Sequence, residues 1–173
     1  MRSAFEEIYE DYHQDLYQFL MYMVKDRNVA EDLVQEVYIK VIHALDTFKG
    51  DSSQKTWLFS IARHVAIDYF RKQKTKRKRI LDFFDWGERG EQVQDHAKIP
   101  EEIAVLNDEM KQVYKSLDHC TMDQKSVIIL RYIQGMSIQE TAEILGWSTS
   151  KVKTTQHRGM KQLKEMLNGK EGL

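Results

Sequence analysis

The chain reads as an all-α protein, with two small helical domains joined by an acidic linker. Three observations predict this. Apolar residues recur at helical spacing almost throughout, with no clusters of alternating β-branched residues. Only one proline occurs in 173 residues. Ser/Thr-x-x-Glu/Gln pairs stand where helices should open, and glycines stand where they should close.

Phe5, Ile8, Tyr9, Tyr12, Leu16, Phe19, Leu20 and Met23 mark the core face of a first helix, which breaks at Asp26, Arg27 and Asn28. Leu33, Val34, Val37, Val41, Ile42 and Leu45 mark that of a second. Phe48-Lys49-Gly50-Asp51-Ser52-Ser53 predicts a polar loop rich in N-cap residues. Doublets then repeat every four residues: Trp57/Leu58, Ile61/Ala62, Val65/Ala66 and Tyr69/Phe70. They predict a third helix whose other face carries Ser60, Arg63, His64, Asp68, Arg71 and Lys72. This helix runs into RKQKTKRKR, in which seven of nine residues are basic. Aromatic planes beside a dense cationic run suit unpaired bases and a phosphate backbone.

The expected boundaries are a first domain over 1–79, a linker over 80–107 and a second domain over 108–173. The net charge is −1, yet residues 1–79 carry +2, residues 80–109 carry −7 and residues 110–173 carry +4. Two mildly basic blocks flanking an acidic connector suggest two modules facing nucleic acid. Ile80, Leu81, Phe83, Phe84 and Trp86 make the start of the linker apolar. They are expected to dock back on the first domain, the other reading being a partner-binding segment.

Pro100 suits the first turn of a helix, and Ile103, Leu106, Met110, Val113 and Leu117 continue the helical spacing. Thr121 and Gln124 form a capping-box pattern before Val127, Ile128, Leu130 and Ile133, and Gly135 closes that helix. Ser137 and Glu140 open a short helix, Ile138–Leu145, closed by Gly146. Ser148 caps a last helix running to about Leu167. Small Ala142, turn-forming Gly146 and the apolar plug Val152 complete a helix-turn-helix. On the last helix Val152, Gln156, Met160, Leu163 and Leu167 share one face. Lys151, Thr154, Arg158 and Lys161 lie opposite, with Ser150, Lys153 and His157 at the flanks. Those side chains have donors for base edges and cations for phosphates.

Other function classes find little support. Cys120 is the single cysteine, so no internal disulfide or thiolate cluster can form, and a reducing cytoplasm fits. The N-terminus is too acidic for a signal peptide, and the near-apolar run 16–24 is too short to span a bilayer. Asp32 and Glu36 lie one helical turn apart, but no histidine stands at helical spacing to complete a metal site. With Glu31 and Gln35 they form either a solvated face or a docking surface for a protein. No glycine-rich phosphate loop, nucleophile elbow or H-E-x-x-H occurs, so no enzyme activity, cofactor, metal or small-molecule substrate is expected. A stand-alone helix-turn-helix regulator and a DNA-processing enzyme remain the competing classes.

The segments AEDLVQEVYIKVIHAL, FKGDSSQKTWL and FSIARHVAIDYFRK, followed by the helix-turn-helix, resemble the bacterial extracytoplasmic-function sigma factors of the sigma-70 family. Within that family the chain most resembles the sigma-X type. The resemblance implies a region 2-like and a region 4-like domain, and a cytoplasmic promoter-specificity subunit serving an envelope-stress or extracytoplasmic response. It implies that Asp32, Gln35 and Glu36 dock on the clamp coiled coil of core RNA polymerase, with the second domain at the flap. Phe48, Lys49, Gly50, Asp51, Ser52, Lys55 and Thr56 would form the loop receiving a flipped −10 base. Trp57, Arg63, His64, Asp68, Arg71 and Lys72 would line that site and the adjoining duplex. Ser148, Ser150, Lys151, Lys153, Thr154, His157, Arg158 and Lys161 would read the −35 element. A membrane-bound anti-sigma factor is a further implied partner. His64 stands where the family often has asparagine, Ser150-Lys151 where it often has Gly-Thr, and Thr155 where it often has arginine.

Overall fold

A computed structural model describes residues 1–83 and 99–171. Eight α-helices occur among the described residues: α1 (Ala4–Val24), α2 (Arg27–Ala44), α3 (Gln54–Phe83), α4 (Glu101–Ala104), α5 (Asp108–Ser116), α6 (Met122–Ile128), α7 (Ile138–Leu145) and α8 (Thr149–Glu171). No strand occurs among them, as the hydrophobic period predicts.

Local chemistry sets the helix ends. Ser3 and Glu6 cap α1 reciprocally. Lys25 ends that helix in the left-handed conformation (φ 59°), and Asp26 immediately caps α2 by accepting from the Val29 N–H at 3.1 Å. The reversal therefore takes two residues. Ser53 caps α3, its hydroxyl accepting from the Thr56 N–H at 3.1 Å. Thr121 with Gln124 and Ser137 with Glu140 form the two expected capping boxes. Gly135 and Gly146 have φ of 68° and 70°, the backbone sign that a side chain would resist.

Helices α1 to α3 pack into one bundle around Leu16, Phe19, Leu20, Val37, Val41, Leu58, Phe59 and Ala62, all fully buried. Phe19 meets Phe59 edge-on, with ring centres 5.3 Å apart. Burying each large apolar side chain contributes about 1.5–3 kcal/mol. Helices α5 to α8 form the second bundle around Leu117, Val127, Ile129, Leu130 and Val152. The turn following α6, Ile129–Ile133, is wound as a π-helix. Gly159 of α8 is needed for close approach there: a Cβ on it would lie 2.9 Å from Cδ1 of Ile128.

Several expectations change. Ile42 and Tyr9 were assigned to core faces but are exposed, whereas Phe59, Met21 and Tyr22 are buried. The helix expected from Pro100 to Leu117 is broken, because Asn107 caps a new start and accepts from the Met110 N–H at 2.8 Å. The basic run does not end α3, which continues to Phe83, and Ile80 and Leu81 are exposed rather than docked on the first bundle. Phe84 and Trp86 lie outside the described residues. The last helix runs beyond Leu167 to Glu171.

The two bundles lie against each other. Tyr22 meets Tyr114 edge-on at 5.4 Å, and Lys25 donates to Asp118 at 2.8 Å. Gln134 Nε2 donates to the Gln18 side-chain oxygen at 3.0 Å and to the Asp15 carbonyl at 3.3 Å. Helix α7 covers the side of α3 that faces away from α1 and α2, so α3 is buried on two faces.

Candidate nucleic-acid interface

The loop 48–53 leaves α2 through a 3₁₀ turn, Leu45–Thr47, and turns at Gly50, whose φ is 74°. Lys49, Gly50 and Asp51 are exposed, with Phe48 and Ser52 half-buried. Phe48 packs on Trp57 with ring centres 4.7 Å apart, so the half-buried Trp57 braces the loop and keeps one edge toward solvent. Thr56, expected in the loop, is instead buried in the first turn of α3, where its hydroxyl accepts from Ser53 at 2.9 Å. Lys55 also lies in α3 and pairs with Asp15 at 3.5 Å.

Beyond the loop, α3 presents His64, Arg71 and Lys72 to solvent, with Asp68 half-exposed. Asp68 and Arg71 pair along the helix at 2.8 Å. His64 Nδ1 lies 2.7 Å from the Ser60 carbonyl, so Nδ1 donates and Nε2 is the ring nitrogen left for another partner. His64 also lines a dimple of about 470 Å³ with Lys40, His43, Ala44, Thr47 and Ile61. The sequence reading missed Lys40, His43 and Ile61. The signal available was that Lys40 and His43, at the end of α2, and Thr47, in the 3₁₀ turn after it, repeat at helical spacing.

Arg63 departs most from expectation. Placed on the polar face by sequence, it is 9% exposed. It reaches across to the second bundle, pairing with Asp123 at 3.4 Å and lying 5.6 Å from the ring centre of Trp147. Among the described residues its Nε is buried without a hydrogen-bond partner. Burial lowers the proton affinity of the guanidinium, partly countered by Asp123. A second cation is buried at the same junction. Lys125 of α6 is 6% exposed and sits 5.4 Å from the ring centre of Phe70. Burial brings its pKa down to about 8, opposed by Asp118 and reinforced by Lys25.

The last helix is unobstructed. Ser148, Ser150, Lys151, Lys153, Thr154, His157, Arg158 and Lys161 are all exposed. Ser148 accepts from the Lys151 N–H at 3.1 Å, and Lys151 Nζ hovers 4.1 Å over the Trp147 ring. Val152, fully buried, anchors the opposite face, and Ala142 of α7 is buried as well. In the preceding capping box, hydrogen bonds from Ser137 hold the Glu140 carboxyl below the usual carboxylate range.

On α2, Asp32, Gln35 and Glu36 are exposed on one stripe. Ile39 and Ile42, each 57% exposed, continue that stripe and were missed as surface residues. On its flank a groove of about 830 Å³ separates α1, α2 and α4, lined in part by Tyr9, His13, Tyr38, Gln35 and Ile103. His13 Nδ1 lies 2.6 Å from the Tyr38 hydroxyl, and burial pushes that phenol's pKa up. Among the described residues no cluster of three metal-ligating side chains occurs, and no helix is long and apolar enough to cross a membrane.

Two family descriptions match the chain: Sigma-70 region 2 over residues 8–76 and Sigma-70 region 4 over residues 111–163. The chain is 59% identical to the ECF RNA polymerase sigma factor SigX of Bacillus subtilis (strain 168), covering 95% of this chain and 84% of that one. It is 32% identical to the RNA polymerase sigma factor YlaC of the same organism, covering 95% and 92%. Its fold is similar to that of the sigma factor RpoE in complex with the anti-sigma factor NepR from Bartonella quintana. There the TM-score is 0.74 and the identity 27%, covering 95% of this chain and 96% of that one.

Proposed function

Because this chain belongs to the extracytoplasmic-function sigma factors of the sigma-70 family, we propose that it grips promoter DNA at two points while docked on core RNA polymerase. It is a promoter-specificity subunit and has no catalytic activity of its own. Residues 1–79 form the region 2-like unit that meets polymerase and the −10 element. Residues 108–173 form the region 4-like unit that reads the −35 element, and residues 80–107 link them.

One observation carries the two-point reading. Every residue named for −35 readout is exposed on α8 or, for Ser148, at its cap, while the loop and aromatic pair for strand capture lie on the other bundle. Duplex readout by α8 uses lysines and Arg158 for phosphates and Thr154, His157 and the serines for base edges. Strand capture uses the loop 48–53, Trp57 and the dimple beside His64, which has the scale of a single base and its surroundings. There the His64 Nε2, not used by Ser60, is available to hydrogen-bond the edge of a captured base. Asp32, Gln35 and Glu36 supply the acidic polymerase-docking stripe, with the exposed Ile39 and Ile42 as its apolar continuation.

The chain acts in the cytoplasm, where the polymerase is, and serves an extracytoplasmic or envelope-stress response. A membrane-bound anti-sigma factor is its regulatory partner. An anti-sigma partner is supported by the similar sigma factor solved in complex with one, and its membrane attachment rests on the family resemblance.

Run-off transcription with purified core polymerase on a fragmented genomic template tests the reading. Discrete transcripts that appear only when this chain is added are expected. DNA binding without transcripts would instead indicate a stand-alone regulator, and cleaved or covalently bound DNA an enzyme.

A further inference from the structure

Apolar contacts hold the recognition helix α8 to its bundle, and they fix its distance better than its rotation. Val152 and Gly159 are buried on one face of α8, with Leu163 a turn further on. Gly159 brings α8 close to α6 but has no side chain to key into it: a Cβ there would lie 3.3 Å from Cβ of Gln124. Between Val152 and Gly159 stands the half-buried Gln156, the polar member of that face. Its side-chain oxygen accepts from Arg131 Nε at 2.9 Å, and Arg131 Nη1 donates to the Met136 carbonyl. One guanidinium thus joins α8 to the turn that precedes α7. We propose that Arg131 is a positioning residue for −35 readout, setting the rotation of α8 through Gln156. This inference rests on the −35 assignment above.

The anchor for this contact is rigid. Arg131 lies at the centre of the π-wound turn Ile129–Ile133, where the Gln134 N–H donates to the Ile129 carbonyl at 2.9 Å. Ile129 and Leu130 on its first half are fully buried. The Met136 N–H donates to the Leu130 carbonyl at 2.9 Å, Met136 is itself buried, and Gly135 takes the left-handed conformation. The Met136 carbonyl is therefore a fixed acceptor. A guanidinium donates from Nε and Nη1 in one plane, so its grip on Met136 orients the bond that Gln156 receives. A lysine ammonium has no such plane.

Small rotations of α8 matter in a DNA groove. Side-chain tips ride about 5–6 Å from a helix axis, so a rotation of about 20° moves them by about 2 Å. A hydrogen bond to a base edge tolerates a spread of only about 0.5 Å in length. Thr154 and His157, assigned to base edges, stand within two residues of Gln156 and would be displaced together. Lys151, Lys153, Arg158 and Lys161, assigned to phosphates, have long stems that can follow a displaced target. Loss of the Arg131–Gln156 bond should therefore lower selectivity among −35 sequences more than total affinity for DNA.

The test uses core polymerase with the full chain as wild type, Gln156→Leu, Gln156→Glu, Arg131→Lys or Arg131→Lys/Gln156→Leu. The templates are a promoter recovered by run-off transcription and its variants permuted at each −35 position. The readout is the ratio of initiation rates between the best and the worst base at each position. It is taken within each protein, so a loss of folded chain cancels. Gln156→Leu and Arg131→Lys should each lower that ratio roughly three- to tenfold. The double variant should fall no further, because both changes break one contact. Gln156→Glu keeps an acceptor for the guanidinium and should retain the wild-type ratio. An unchanged ratio in Gln156→Leu, additive losses in the double variant, or equal losses in Gln156→Leu and Gln156→Glu would overturn the positioning role. So would a loss of activity that falls equally on every −35 sequence, the result that a purely structural role predicts. A wild type with no preference at any −35 position would instead strike the −35 assignment, and this inference with it.

Discussion

Lys25 and Asp118, 93 residues apart in sequence, meet at 2.8 Å and join the turn between α1 and α2 to the 3₁₀ turn after α5. Lys25 also ends α1 in the left-handed conformation, so its side chain leaves the helix axis toward the second bundle. Its ammonium lies 4.6 Å from the ring centre of Tyr114. Asp118 is mostly solvated, which screens the pair. A double-mutant cycle of Lys25→Met and Asp118→Asn, read by urea unfolding, should give a coupling energy of about 0.2–1 kcal/mol that shrinks with added salt. A coupling that does not change with salt would show that packing against Tyr114, not charge, dominates.

Lys125 makes stability depend on pH with a definite sign. Its folded pKa of about 8 lies below the ordinary 10.5, so between those values the unfolded chain binds more protons. Stability should therefore rise as pH increases from 7 through 9. Below about pH 8 the full penalty of a buried ammonium applies. Lys125→Met keeps the stem, removes the charge, and should raise the melting temperature at pH 7 while flattening this rise. Cys120, whose thiol burial pushes up, works in the opposite direction at alkaline pH. The comparison between wild type and Lys125→Met isolates the lysine. An equal pH slope in both proteins would exclude it as the source.

The orientation of His64 predicts base preference. With Nδ1 engaged by the Ser60 carbonyl, Nε2 is the ring nitrogen that would meet a captured base. The wild type should therefore discriminate among the four bases at the captured position, by about 1–3 kcal/mol between best and worst. His64→Ala should flatten that preference more than it lowers maximal transcription. Initiation rates from promoters permuted at that position provide the measurement, and an unchanged ranking would assign the preference elsewhere.

Arg71, Lys72, Lys74, Lys76, Arg77, Lys78 and Arg79 are all exposed along α3. Such a helix suits phosphate contact without base readout. Lys76→Ala/Arg77→Ala should reduce the salt slope of holoenzyme binding to promoter DNA by roughly one unit per lost phosphate contact. A weakened affinity with the same slope would point to a structural role instead.

The sequence disclosed the helix-turn-helix closely because its boundaries depend on local chemistry. Thr121, Ser137 and Ser148 accept from nearby backbone N–H groups, and Gly135 and Gly146 take the backbone sign that other residues avoid. These requirements do not depend on distant residues. The junction between the bundles was hidden for the opposite reason. Helical periodicity identifies one buried stripe, but α3 has two, and the second faces α7. Arg63 therefore looked like a surface cation, although it is buried beside the Trp147 ring. Tyr22 lay off the first bundle's stripe because its partner, Tyr114, belongs to the other bundle. Ile42 was misassigned because the apolar stripe of α2 is wider than the face that α1 and α3 cover.

Permanganate reactivity of −10 thymines tests the two-point grip most directly. The template is a promoter recovered by run-off transcription, incubated with core polymerase and this chain as wild type or Trp57→Ala. Unpaired thymines should appear only with polymerase and wild-type chain together, and Trp57→Ala should lose them while keeping protection of the −35 element. Equal loss of both signals, or a collapsed melting temperature, would mean that Trp57 only supports the fold and would contradict strand capture by α3.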